Sequence, residues 1–282
     1  MIRCAVGSGL VGEPLAGTAP VARRWLVVEH REAWGRDVNT DAGPAITALA
    51  ERAKAADARL TLIRAAGRRR AQAGRDRRVF LADTTPGRCR LTTMSATLDE
   101  LLELDLGPGG ELPGEELAEP VLLVCAHTRR DRCCAIDGRA LAGRLVTQIQ
   151  VWECSHLGGH RFAPTAVVLP TGYVYGRLDA PGALALVKAA AAGEVDPGSC
   201  RGRSTWQPAG QVAELAVRER TGERHADALT VDGTDGDQVT VRHVDGRRWR
   251  VTVEQRPLDG LRPSSCGGPE QAVSALRVRE WS

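Results

Sequence analysis

Pro120-Val-Leu-Leu-Val-Cys-Ala-His-Thr-Arg-Arg-Asp-Arg-Cys-Cys134 is the stretch on which the reading of this chain turns. A proline followed by a short, unbroken apolar run predicts a buried strand over 120–125. From Cys134 the periodicity changes. Leu141, Leu145 and Val146 fall on one face of a helix predicted over 134–147. One cysteine therefore ends a strand, another opens a helix, and both thiols meet at the intervening loop. Downstream, after a strand predicted over 148–153, comes His156-Leu-Gly-Gly-His160. Soft thiolates with imidazoles select zinc, copper or an iron–sulfur cluster over magnesium or calcium.

Working outward, strands are predicted over 165–170 and 172–178, and a helix over 181–192. Upstream, a strand over 23–29 precedes a helix over 43–56, with Asp41 as an upstream cap and Pro44 in its first turn. Strands over 59–64, 77–82 and 88–93 follow, then a helix over 97–104 capped by Thr97 or Ser95. The order β-α-β-β-β-α thus occurs twice, which predicts an internal repeat. Trp25-Leu-Val-Val-Glu29 aligns with Val121-Leu-Leu-Val-Cys125, and Ala65-Ala-Gly-Arg-Arg69 with Leu157-Gly-Gly-His-Arg161. The first copy lacks the clustered thiols and imidazoles. The expected organisation is an α/β fold with an N-terminal unit over 1–106, a Gly-, Pro- and Glu-rich linker over 107–119, a second unit over 120–197 and a small α+β module over 198–282. In that last module a helix over 208–220 precedes strands over 237–244 and 247–254, joined by Val244-Asp-Gly-Arg247, and a strand over 272–279. The helix-plus-hairpin order allows a winged-helix-like module. No basic recognition helix accompanies it, so nucleic acid is not an expected partner.

Bulk properties narrow the function class. The net charge of +3 demands no nucleic-acid partner. Arginine carries nearly all the positive charge, since lysine occurs only at Lys54 and Lys188. The run Arg68-Arg69-Arg70 reads as a solvated loop. No apolar stretch has the length a bilayer requires, and Glu13 interrupts any signal-peptide core, so a cytoplasmic location is expected. Eight cysteines in a reducing compartment point to metal or redox work and not to a disulfide framework. Cys200 and Cys266 have no evident role, and a disulfide between them is not expected. His30, His225 and His243 read as ordinary polar surface residues.

The candidate ligands are Cys125, Cys134, His156 and His160. A helix N-terminus favours the Cys134 thiolate, and Arg129, Arg130, Arg132 and Arg139 add to that bias. Gly158-Gly159 makes a tight loop that aims both imidazoles at one site. A metal-bound histidine needs an acceptor for its other N–H, and Glu153 or a loop carbonyl fits. The sequence contains a rival set: Cys125-x-His127 with Cys154-x-His156 has the form of a Rieske ligand pair. The helix after Cys134 and the β-α-β order argue against the all-β fold that set requires.

Cys125-x8-Cys134 with His156-x3-His160 resembles the sucrase/ferredoxin-like family, relatives of thioredoxin-like ferredoxins whose second ligand pair is His-x-Gly-Gly-His. Trp152-Glu-Cys-Ser-His-Leu-Gly-Gly-His-Arg-Phe-Ala-Pro164, Tyr175-Gly-Arg177 and Gly17-Thr-Ala-Pro20 carry the same resemblance, which spans most of residues 1–200. It implies two tandem thioredoxin-like units. It also implies a [2Fe–2S] cluster with Cys125 and Cys134 on one iron and His156 and His160 on the other, serving electron transfer or redox sensing with a redox partner protein. Cys133, Cys154 and His127 would then be neighbours of the cluster. Neutral imidazoles in place of thiolates raise the potential and couple it to pH. The same four donors suit tetrahedral zinc in a structural or interaction domain. A third possibility is an oxidoreductase with a second site in the N-terminal unit, where Cys4 and Cys89 are the only thiols.

Overall fold

The computed structural model describes residues 2–67, 74–106 and 112–282. The Arg68-Arg69-Arg70 run and the first part of the expected linker, 107–111, lie outside the described residues. After helix α1 (Cys4–Leu10) the chain forms β1 (Arg24–Glu29), the short α2 (Val38–Asp41), α3 (Pro44–Ala55), β2 (Ala58–Ala65), β3 (Arg77–Asp83), β4 (Arg90–Ala96) and α4 (Leu98–Glu103). A two-residue strand, β5 (Glu115–Glu116), pairs with β4 inside the segment read as linker. The second unit comprises β6 (Val121–Cys125), a helix that ends as α5 (Arg139–Leu145), β7 (Val151–Cys154), β8 (Ala166–Leu169), β9 (Tyr173–Tyr175) and α6 (Ala180–Ala191). There follow β10 (Cys200–Arg203), α7 (Pro208–Thr221), β11 (Leu229–Asp235), β12 (Gln238–His243), β13 (Arg248–Pro263) and β14 (Glu270–Trp281).

Helix boundaries follow local chemistry. Pro44 opens α3, and Thr97 with Glu100 forms a reciprocal capping box at α4. The Asp179 side chain accepts from Gly182 N at α6, and α7 ends at Thr221 before Gly222, whose φ of 72° terminates it. Asp41 does not cap α3. It belongs to α2, where its carboxylate accepts from Asp37 N, and Gly43 precedes α3 instead.

The repeat is visible in the sheet itself. Among the described residues ten strands form one sheet, in the order β10-β9-β8-β6-β7-β2-β1-β3-β4-β5. In each unit the first two strands are parallel and the next two antiparallel: β1–β2, β1–β3 and β3–β4 in one, β6–β7, β6–β8 and β8–β9 in the other. The registers agree residue for residue, with Glu29 opposite Ile63 and Cys125 opposite Cys154. Even the next hydrogen bond recurs, His30 N to Ile63 O in one unit and Ala126 N to Cys154 O in the other. Counting on from this register sets Gly67 beside Gly158, both at positive φ (73° and 77°). The sequence alignment of Ala65–Arg69 with Leu157–Arg161 is therefore one residue out of step, and its last two positions in the first unit are not described. The units meet where β2 pairs antiparallel with β7, through Ile63–Cys154, Arg64–Glu153 and Ala65–Trp152.

Strand alternation divides the core between two faces. On one face α3 and α4 pack on Leu26, Val28, Leu62 and Val79, while α5 and α6 pack on Leu122, Val124 and Val168. On the other face one core spans both units. It contains Trp25, Val27, Ile63 and Phe80 from the first and Leu123, Cys125, Cys154 and Leu157 from the second. The C-terminal segment is no winged helix. Strand β10 extends the main sheet, and α7 packs on a four-stranded antiparallel sheet, β11-β12-β13-β14. A buried network of Tyr173, Glu214 and Arg218 fastens α7 to β9. No helix among the described residues is long and apolar enough to cross a membrane.

Candidate metal centre

The site lies at the carboxyl ends of the parallel strands β6 and β7, the position where α/β sheets generally hold their ligands. Cys125 is the last residue of β6. The chain then turns through His127–Asp131 into a helix that starts at Arg132, two residues earlier than expected. Asp131 caps it, since its Oδ1 accepts from Cys133 N at 2.8 Å. Cys134 thus occupies the first turn, where unpaired N–H groups favour a thiolate. Cys134–Gly138 is a π-helical turn that precedes α5. It lies so close to β6 that a Cβ on Gly138 would run into the Cys125 carbonyl oxygen.

Three of the four expected ligands converge. The donor atoms of Cys125, Cys134 and His156 lie within 4.8 Å of one another, with Cys125 Sγ 4.0 Å from His156 Nδ1. Cys134 donates to Cys125, which holds the Cys125 thiol well below its ordinary value against the opposing effect of burial. That same bond, with burial, drives the Cys134 thiol up. His160 sits beside the trio, its ring centroid 5.5 Å from that of His156. Its Nδ1 faces away, 3.2 Å from Asp131 Oδ2 and 3.4 Å from Cys4 Sγ. The carboxylate beside this ring is that of Asp131, in an ion-pair contact, and Glu153 is ion-paired with Arg64 and Arg139 instead. Burial pulls the His160 pKa down, favouring the neutral ring that a metal needs.

The Rieske-type set does not assemble. His127 Nε2 lies 2.6 Å from the Gly35 carbonyl, and burial lowers its pKa. Cys154 faces the shared core, where burial drives its thiol well above the ordinary range. Cys133 turns away from Cys134 toward Cys4 and Cys266. Cys200 is a buried core residue that donates to the Val174 carbonyl. Burial pushes the Cys89 thiol up to about 11, against the opposing charge of Arg203, which donates to its Sγ at 2.8 Å. Two histidines differ from expectation. His30 is buried beside Glu32, and His243 is buried between Glu223 and Asp245.

The arginines that serve the site are not those next to it in sequence. Arg129, Arg130 and Arg132 are exposed. Instead Arg59, from β2, donates to the His156 carbonyl at 2.8 Å, and the fully buried Arg201, from β10, donates to the Gly158 carbonyl at 3.1 Å. Together they hold the histidine loop by its backbone. Arg201 also explains one glycine: a Cβ on Gly159, where φ is 66°, would collide with its guanidinium. No local pattern could have revealed either arginine, because each reaches the loop only through the sheet order. The open edge of His156 lines a cleft of about 590 Å³, bordered also by His127, Arg130, Arg59 and Lys54.

A family model described as sucrase/ferredoxin-like matches residues 15–202. The match takes in Cys125, Cys134, His156 and His160, as well as Arg59 and Arg201, and leaves out Cys4 and Cys266. No curated protein and no solved structure matches the chain.

Proposed function

The chain belongs to the sucrase/ferredoxin-like family, and from that premise we propose that it is an electron-transfer or redox-sensing protein holding a [2Fe–2S] cluster, with Cys125 and Cys134 on one iron and His156 and His160 on the other. The observation that carries this reading is the convergence of two buried thiols and an imidazole, beside a second imidazole whose Nδ1 lies 3.2 Å from a carboxylate oxygen. Bound there, such a cluster would supply a one-electron couple. The protein contributes the rest. Arg59 and Arg201 fix the histidine loop, and their charges favour the more negative, reduced state. The His160–Asp131 pair keeps the imidazole oriented. The cleft beside His156 gives a partner protein access to the imidazole edge, and exposed Arg129, Arg130 and Arg132 suit an acidic partner.

Zinc is the second reading, and one distance favours it. Cys125 Sγ and His156 Nδ1, 4.0 Å apart, are close enough to share one tetrahedral ion. Anaerobic purification followed by visible and EPR spectroscopy, with iron, sulfide and zinc measured on the same sample, separates the two. The expected result is a red-brown protein with about two irons and two sulfides at this site, a low average g-value after reduction, and a potential that falls as pH rises. A colourless protein that takes up no cluster on anaerobic reconstitution would replace the cluster with zinc.

A further inference from the structure

Cys4, Cys133 and Cys266 come from three distant parts of the chain and meet at one point. Cys4 opens α1, Cys133 lies in the first turn of the ligand-loop helix, and Cys266 sits between β13 and β14. Their Sγ atoms form a triangle with edges of 3.7 Å (Cys4–Cys133), 3.3 Å (Cys133–Cys266) and 3.6 Å (Cys266–Cys4). Asp131 Oδ1 stands 3.5 Å from Cys4 Sγ, and all four donors lie within 4.8 Å of one another. Cys4 and Cys133 are fully buried, and Asp131 is 5% exposed.

These distances discriminate between explanations. A disulfide needs sulfurs about 2.0 Å apart, so none of the three edges is a bond. A polynuclear cluster with one cysteine on each iron would spread the sulfurs beyond such a triangle. A tetrahedral ion with Zn–S of about 2.3 Å requires S···S edges of about 3.8 Å, just above those found. Three sulfurs also select a thiophilic ion over magnesium or calcium. The carboxylate is fixed independently of any metal. Asp131 Oδ1 accepts from Cys133 N and Oδ2 from Cys266 N, both at 2.8 Å, so one side chain gathers two of the three cysteine segments. Oδ1, which accepts a single backbone N–H, keeps a lone pair for an ion once the Cys4 thiol has lost its proton.

We propose that Cys4, Cys133, Cys266 and Asp131 form a second metal site that binds zinc. It is distinct from the Cys125, Cys134, His156 and His160 set and touches it through the Asp131–His160 contact. Zinc binding there replaces the thiol protons, which leave to solvent, with zinc–sulfur bonds. The ion clamps α1 and the β13–β14 turn onto the loop that carries Cys134. Cys4 and Cys266 lie outside the matched family region, and Cys133 and Asp131 lie inside it.

The test is metal analysis of the full chain and two variants, C4S/C266S and C125S/C134S. The expected result is that C4S/C266S holds one zinc fewer per chain than the unaltered protein while its cluster absorbance persists, and that C125S/C134S keeps that zinc. Should C4S/C266S fail to fold, alkylation of the unaltered protein with peptide mapping decides the matter. Bound zinc should protect Cys4, Cys133 and Cys266 together, and a chelator should expose all three together. An undiminished zinc content in C4S/C266S, a Cys133–Cys266 disulfide, or alkylation of the three at the same rate with and without chelator would overturn the proposal.

Discussion

Arg59 joins two roles that are separable by substitution. Its guanidinium donates to the His156 carbonyl, and its charge acts on Cys125 and Cys154. Arg59→Gln keeps a donor and removes the charge. Adding an electron near a lost positive charge is harder, so the potential of the proposed cluster should fall, on the order of 50 mV for about 1 kcal/mol of lost attraction. Protein-film voltammetry checks this, with iron content as the control for an intact site. An unchanged potential would reduce Arg59 to a backbone strut. At this scale the sequence reveals candidate ligands that lie close together along the chain. Cys125 and Cys134 are nine residues apart and His156 and His160 four, and three of the four converge in the fold. Cys266 carries no such signal. Its partner Cys4 is 262 residues away, and only the path of β13 back to α1 brings them together. The histidines His30 and His243 escape a sequence reading for a related reason: burial is a property of the packed sheet, and an isolated histidine reads as polar wherever it falls.

Two glycines allow the elements around the site to be tested against each other. Gly159 lies in the histidine loop at φ 66°, with Arg201 where a Cβ would go. Gly159→Ala should cost about 2 kcal/mol in backbone strain and displaced guanidinium, and should deplete the metal by moving His160. Gly143 lies on the exposed side of α5, with open space where an added methyl would stand. Gly143→Ala should stabilise the protein by up to about 1 kcal/mol and leave metal content unchanged. Thermal melts with metal analysis on both variants provide the comparison; equal effects would mean that the loop is not under this constraint. Elements are legible in the sequence to the degree that their signals are local. Capping chemistry and Pro44, Pro181 and Pro208 put α3, α4, α6 and α7 within a residue or two of their observed ends. Strands β10 and β11 give no such signal, because Cys200–Arg203 is short and Leu229–Asp235 is largely polar, and each becomes a strand through its neighbour. Strand β13 runs to Pro263, beyond the 247–254 run, through Pro257 and Gly260, residues that ordinarily end strands. Its long pairing with β14 carries it past them.

On the scale of the whole molecule, the repeated β-α-β-β-β-α order is readable from apolar periodicity, whereas the register shared by β1–β2 and β6–β7 is seen only in the strand pairing. What fastens the termini to the sheet is not readable from periodicity either. Glu13, notable in the sequence only for interrupting an apolar run, is 2% exposed and holds two cations. Its Oε1 accepts from Arg161, one residue past His160, at 2.7 Å and from Arg262 in β13 at 2.5 Å. Arg177, stacked with Arg161 around Phe162, donates to the Glu13 carbonyl. The N-terminal segment, the histidine loop and the C-terminal hairpin thus share one buried carboxylate. Burial acts to raise its pKa, but the hydrogen bonds from Arg262 and Arg161 outweigh burial, and the net shift is downward. A carboxylate whose folded pKa is depressed stabilises the fold fully above its unfolded pKa, about 4.5. That contribution is lost as pH falls through the folded value. Glu13→Gln should therefore cost about 3 kcal/mol near neutrality, because it leaves two guanidiniums without their anion. The difference between the two proteins should shrink as pH drops below about 4.5. Denaturant unfolding of both proteins from pH 7 to pH 3 measures that difference, and the subtraction removes other carboxylates that titrate in the same range. A difference that stays constant across the range would show that Glu13 acts by packing and not by charge.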